Sequence, residues 1–257
     1  MKYWRETVAV AQRILIELLR RKRSLIFWVI FPVLVLILNG LILEERAQLS
    51  RAEALQAALP PTLVGAALFF SCLGGSIATL VAEREQRTLK RLFLSPLSGL
   101  SYFLGVFVSH CLIGLVQAGM IYAIALSSGS SFNGSPLLQF AIILVSIAAY
   151  VGLGFVLGAQ FARRVEDVNA LVAAFGVPLL ILGGAFLPSS LFPESLRQAA
   201  QFNPIFHMIE ALAAISTGEE ALGDIVDHLQ FLGVFTSIMV IGGWLAYQRM
   251  IQLERRL

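Results

Sequence analysis

The sequence predicts an all-α polytopic membrane protein with six transmembrane helices, an N-terminal amphipathic helix lying at the membrane surface, a charged helical segment between spans 2 and 3, and short helices between spans 5 and 6. Three observations carry this. Of the 257 residues 58% are hydrophobic and only 14% charged, against about half and a quarter in an ordinary soluble domain. The mean hydropathy is +0.81. The apolar residues fall into runs long enough to cross a hydrocarbon core of about 30 Å at about 1.5 Å per helical residue. These runs consume most of the chain, so it reads as a single transmembrane domain over 1–257: an interfacial helix over 2–23, a six-span bundle over 25–246 and a cytoplasmic tail over 247–257. No soluble enzymatic domain fits in what remains.

The first segment, residues 2–23, carries Trp4, Val8, Ala11, Leu15 and Leu18 at helical spacing, with Lys2, Glu6, Arg13, Glu17 and Arg20 on the other side. That is the pattern of a helix lying in the membrane surface. It ends in Arg20, Arg21, Lys22 and Arg23, a basic block of the kind that holds its end in the cytoplasm. A signal peptide is the competing reading; the long charged lead and the lack of a small-residue cleavage site after Leu43 count against it.

Span 1 is Leu25 to Leu43, with Pro32 as a kink. Glu44 to Pro61 reads as a polar loop, and Thr62 to Val81 as span 2, whose Ser71, Gly74, Gly75, Ser76 and Thr79 let another helix approach closely. Span 3 covers about 102–126, and span 4 about 136–161, with Tyr150, Gly154 and Gly158 on one packing face. A hinge, Ala162 to Asp167, leads to span 5 over about 168–187. In the stretch from Pro188 to Asp227, Asn203 caps a helix, Pro204 suits its first position and Gly218 stops it. That helix, apolar nearly all round, is too short to cross, so it sits in the interface or dips back between spans. Leu196 to Gln201 is a second short helix before it, and span 6 runs over about 229–246.

Six spans put both termini on one side. Sixteen Lys and Arg lie on the side of the termini and three on the other, a bias that places both termini in the cytoplasm, with the plasma (inner) membrane as the expected location. The net charge of +3 is too small to suggest nucleic acid as a partner, and membrane lipid is the surrounding medium. Cys72 and Cys111 lie inside apolar runs and read as small buried hydrophobes.

What chemistry the residues offer is limited. There is no G-x-x-x-x-G-K-[ST], hence no phosphate-binding loop and no ATPase activity of the chain's own. No Asp or Glu lies mid-span, which counts against an ion-coupled carrier, although an ion-coupled or facilitative carrier without an ATPase is the alternative reading. His110 and Gln117 share a face of span 3; they are either interhelical hydrogen-bond formers or polar groups on a translocation path. His207 and Glu210 read as a surface ion pair rather than a metal or haem site, since zinc needs at least three ligands and His228 is not at a supporting spacing. Ser76 reads as packing rather than as a hydrolase nucleophile. No catalytic residue and no metal ligand is expected.

The stretch 83–98, EREQRTLKRLFLSPLS, has six charges in its first nine residues. As a helix it places Leu89, Leu92 and Phe93 on a stripe and pairs Glu83 with Arg87, while Arg87 and Arg91 stand as like charges at i, i+4. An acidic partner or lipid phosphate opposite would relieve them; a loop that only sets topology is the other reading. Pro96 ends the helix.

This segment, E-R-E-x-x-T-L-x-R-L followed by S-P, resembles the coupling helix of the ABC-2 type transporter permeases. The resemblance extends along the whole chain and includes G-G-A-F-L-P (Gly183 to Pro188) and N-P-I-F-H-M-I-E-A-L (Asn203 to Leu212). Arg87 stands where the family often has Gly, Lys90 where it often has an acid, and Ala213 where an Arg commonly follows. The resemblance implies a permease that pairs with a second copy or a related permease and with two separate ATP-binding subunits. These use ATP and Mg, no cofactor being bound by this chain, and the assembly moves a lipid-like, drug-like or glycan substrate outward. It implies that Glu83, Arg84, Glu85, Arg87, Leu89, Lys90, Arg91, Leu92 and Phe93 contact the ATPase, with help from the surface helix. It also implies that the outer helices bearing Pro188, Asn203, Pro204, Phe206, His207 and Glu210 shape the exit.

Overall fold

The computed structural model describes residues 2–86, 88, 97–218 and 222–254. Among these the chain is helical and without strands. Nine helices are named here in chain order: α1 (Lys2–Arg20), α2 (Lys22–Arg46), α3 (Arg51–Glu85), α4 (Gly99–Ser127), α5 (Pro136–Gln160), α6 (Val165–Leu182), α7 (Glu194–Ala200), α8 (Pro204–Thr217) and α9 (Leu222–Glu254). Six of them, α2, α3, α4, α5, α6 and α9, are long and apolar enough to cross a membrane.

Helix α3 is the centre of the bundle. Its middle is closed in on nearly all sides, whereas α2, α6 and α9 leave most of their apolar surface facing outward. It also corrects the sequence reading, because 51–61 is not part of a loop. The first turn is closed by a capping box in which Glu53 N–H donates to Ser50 Oγ (3.3 Å) and Ser50 N–H to the Glu53 carboxylate (2.9 Å). Ala54, Leu55, Ala58 and Leu59 are buried behind it. Pro60 and Pro61 remove two N–H donors from the ladder, and the helix continues over Thr62–Gly74 with π turns, whose bonds reach five residues back. A shorter π stretch, Val172–Gly176, lies in α6.

The small residues expected to form packing faces do so. A Cβ on Gly154 of α5 would lie 2.0 Å from Ser76 Oγ and 3.2 Å from Leu73 O of α3, and one on Gly152 would lie 2.7 Å from the Met239 backbone of α9. Ser76 therefore packs against a glycine and donates to Leu73 O (3.0 Å). In lipid, where apolar contact gives helices no preference for each other over acyl chains, such close approach is the main source of association.

Three further boundaries differ from expectation. Span 6 begins at Leu222, not 229, and continues as one helix to Glu254, so the segment read as a tail is helical through 254, with Tyr247 and Met250 buried. Span 5 stops at Leu182, where Gly183 and Gly184 turn the chain. In α1 the buried stripe is Thr7, Val10, Ala11 and Ile14 rather than the one headed by Trp4, which is exposed. The difference is a rotation of about one position, caused by Gly105 of α4: a Cβ there would lie 2.5 Å from Val10 Cγ1, so α1 turns Val10 into that gap.

Candidate functional site: the end of the bundle that holds α1

Four chain segments meet at one end of the bundle. Ser98 caps α4, its Oγ accepting from Ser101 N–H (3.0 Å), and both serines then turn to α1. Glu6 accepts from Ser98 N–H (3.3 Å) and from Ser101 Oγ (2.7 Å). The Ser101 hydroxyl is the chief reason its carboxyl is held below the ordinary carboxylate range, against an opposing desolvation effect and with help from Ser98 and Lys2. One turn pair further along the same face, Arg13 donates to Glu83 at the far end of α3, a carboxylate whose side chain is 5% exposed. Tyr102 of α4 lies beside Glu83 and stacks on Tyr247 of α9 at 5.5 Å. Helix α1 thus grips both stems of the segment that joins α3 to α4: Glu83 on the entering side, Ser98 and Ser101 on the leaving side.

Of the residues read as ATPase contacts, the structure describes three. Glu83 is buried and faces α1, where it pairs with Arg13; the expected partner Arg87 lies outside the described residues. Arg84 donates to Gly158 O (3.2 Å) and Ala162 O (3.1 Å), closing carbonyls left open at the end of α5. Glu85 is exposed. Arg87, Leu89, Lys90, Arg91, Leu92 and Phe93, together with Pro96, lie outside the described residues. The sequence reading missed Glu6, Arg13, Ser98 and Ser101 as a set. Glu6 and Arg13 sit seven apart on one helix face, and Ser98-x-x-Ser101 is a capping signal, but which carboxylate meets which serine is a matter of tertiary packing.

His110 and Gln117 are brought together as interhelical clips, closed off from solvent. Gln117 donates to Trp28 O of α2 (2.9 Å) and accepts from Ser71 Oγ of α3 (2.7 Å). At the end of the π stretch Gly75 N–H reaches back to Phe70 O, and the next carbonyl, Ser71 O, receives His110 Nδ1 at 3.0 Å. A carbonyl only accepts, so Nδ1 carries the proton and Nε2 faces the Thr79 hydroxyl (3.4 Å). Both side chains are buried in this structure.

The other end gathers the residues read as exit elements. Asn203 Oδ1 accepts from Ile205 N–H (3.0 Å), capping α8 as expected, and its Nδ2 donates to Leu179 O of α6 (2.7 Å). Pro204 takes the first turn, and Gly218 stops the helix at φ +72°. Helix α8 lies between α9, α5 and α3, and Pro188 O accepts Leu191 N–H in a short turn before α7. The expected ion pair is absent among the described residues. Glu210 accepts from Ser189 Oγ (2.6 Å), and His207 bonds to His228 instead, with Nδ1 atoms 2.8 Å apart. Phe206 lies against both imidazoles. Linear spacing hid this contact because α8 and α9 fold back on each other.

Comparison with known proteins agrees with this architecture. The chain is 25% identical over 174 residues, 67% of its length and 47% of the other's, to a protein named probable multidrug ABC transporter permease YbhR of Escherichia coli. It is 26% identical to putative transport permease ycf38 of Porphyra purpurea, covering 91% of this chain and 87% of that one. It is 23% identical over 172 residues to the linearmycin resistance permease protein LnrN of Bacillus subtilis, covering 66% of this chain and 44% of that one. The chain spans about half the length of the bacterial relatives it matches. Residues 5–216 match the family described as ABC-2 type transporter; with six apolar helices long enough to span, the chain belongs to that family as a multi-pass membrane permease.

Proposed function

We propose that this permease is the membrane subunit of an ATP-driven exporter, forming the translocation path with a second copy or a related permease and driven by two separate ATPase subunits. The observation that carries the reading is the double grip of α1 on the stems of 83–98. A segment docked on a moving partner transmits force only if its stems are held, and here Arg13–Glu83 and Glu6–Ser98/Ser101 tie them to one helix. The sixteen-to-three bias of Lys and Arg supports placing this end, and both termini, in the cytoplasm of a plasma-membrane protein, where ATP and Mg are available to the partner. The lack of a phosphate-binding loop leaves ATP hydrolysis to that partner. The names of the relatives, multidrug permease and linearmycin resistance permease, support a drug-like substrate over a glycan.

Arg87 and Arg91 are the contacts to test. Reversing both to Glu in the purified complex is expected to lower ATPase binding and substrate-stimulated turnover at least tenfold, since each truncated or reversed close charge pair costs about 2–5 kcal/mol. Unchanged binding and turnover overturn the docking role. Substrate movement by this chain reconstituted without any ATPase, down an ion gradient, overturns the larger reading in favour of a carrier.

A further inference from the structure

We propose that His207 and His228 form a proton-sensitive clasp that holds α8 against the start of α9 while at most one of the two imidazoles is charged, and that releases α8 when both are. His207 Nε2 lies 2.8 Å from Gln201 O, an acceptor only, so Nε2 carries a proton and the neutral ring has its lone pair at Nδ1. That lone pair faces His228 Nδ1 at 2.8 Å, which must then be the N–H donor. The His207 ring is stacked on Phe231 of α9 at 3.9 Å, so it has little room to turn away.

The two protonation steps differ. A proton added at His228 Nε2, an atom that takes part in neither bond, leaves both in place. A second must go to His207 Nδ1, the atom that accepts the bond, and puts two cations within one hydrogen-bond length. Burial above all holds His207 below the ordinary histidine value; the Gln201 carbonyl opposes it, the neighbouring His228 adds to the lowering, and Glu210 opposes it least. The contribution is therefore complete above the unfolded value of about 6.5 and is lost as pH falls below it.

Among the described residues little compensates the second charge. Glu210 is the carboxylate that acts on His207, and it already accepts from Ser189; Asp227, next to His228 in sequence, is exposed. The parts of α5, α6 and the π stretch of α3 packed against α8 contain no charged residue beyond the first turn of α6. The charged residues of α3 nearest in sequence, Arg51 and Glu53, belong to the turn before Gln56, which bonds to Ser216 at the opposite end of α8. In α7, Arg197 and Glu194 pair with each other. No third His, Cys, Asp or Glu among the described residues turns the pair into a metal site.

The test is amide hydrogen exchange of the full chain in lipid nanodiscs, without an ATPase, at about pH 7.5 and about pH 4.5, corrected for intrinsic rates. Peptides from 204–217 are compared with those from α5 as an internal reference. Opening that takes up one proton predicts a loss of protection of up to about tenfold per pH unit as pH falls below about 6.5, ending where the closed pair takes its own second proton. In His228→Gln the amide can donate to a neutral His207 and accept from a charged one, so neutral-pH protection is expected to persist and the acid loss to shrink to the part that burial of His207 alone causes. Equal protection of wild-type 204–217 at both pH values overturns the clasp, as does an undiminished acid loss in His228→Gln. Because no ATPase is involved, neither outcome bears on the docking of 83–98.

Discussion

Glu83 shows how one side chain changes meaning between sequence and structure. In a helix of its own its natural partner is Arg87 at i, i+4, an exposed pair of a few tenths of a kcal/mol. In the fold it is buried against Arg13, seventy residues earlier. Breaking a fully buried pair costs about 3–5 kcal/mol. Arg13 keeps 34% of its side-chain surface exposed, so solvent screening reduces this to about 2 kcal/mol for Arg13→Ala, read as a fall of several degrees in the unfolding temperature. Arg13→Glu alone is expected to be worse, and adding Glu83→Arg to recover part of the loss. If the doubly exchanged protein is no more stable than either single variant, the pair does not hold α1 to α3. Asn203, Pro204 and Gly218 behaved differently: their cap, first-turn and stop roles act within a few residues, and the sequence alone sufficed for them.

Among the elements, α3 departs furthest from its sequence reading. The polar residues of 44–53 suggested a loop up to Pro61, although Ser50-x-x-Glu53 is a capping box that announces a helix from Arg51, well before the first proline at Pro60. Two consecutive prolines ordinarily interrupt a helix; this one absorbs them by passing into π turns. That passage also presents Ser71 O to His110, a bond that no periodicity reveals. The glycine face of α5 was legible, because small residues at i, i+4 form a flat strip whatever packs on it. Gly154→Leu places side-chain atoms where Ser76 Oγ and Leu73 O already stand, and overpacking costs about 1–3 kcal/mol or more. Its expected result is a lower unfolding temperature and weaker protection of both α3 and α5. Exchange that is slowed or unchanged in α3 would show that the α3–α5 contact is not close-packed.

At the scale of the molecule, the chain sorts its polar work to two ends. One holds α1, the stems of 83–98, the end of α5 and the last turns of α9; the other holds the start of α3, α7 and α8, joined by Gln56 to Ser216 O (3.2 Å) and Ser130 to Ala52 O (2.7 Å). With the basic end in the cytoplasm, a cysteine replacing Gln86 should resist a membrane-impermeant thiol reagent in intact cells, and one replacing Gln48 should react; both positions are exposed. Cys72, fully buried, and Cys111, half-buried inside α4, give a low background. The reverse pattern would invert the orientation and remove the ATPase from the α1 end.

The sequence by itself determined the number of spans, the helix that begins at Asn203 and Pro204, and the family. Hydropathy, capping and charge bias are sums over neighbouring residues, and neighbours are what a sequence records. Only the tertiary structure decided that the 83–98 segment is held at both stems by α1, that His110 serves the backbone of α3, and that His207 answers to His228. Each of these joins residues far apart along the chain, and in a bundle surrounded by lipid the choice of partner depends on which glycines let which helices come close.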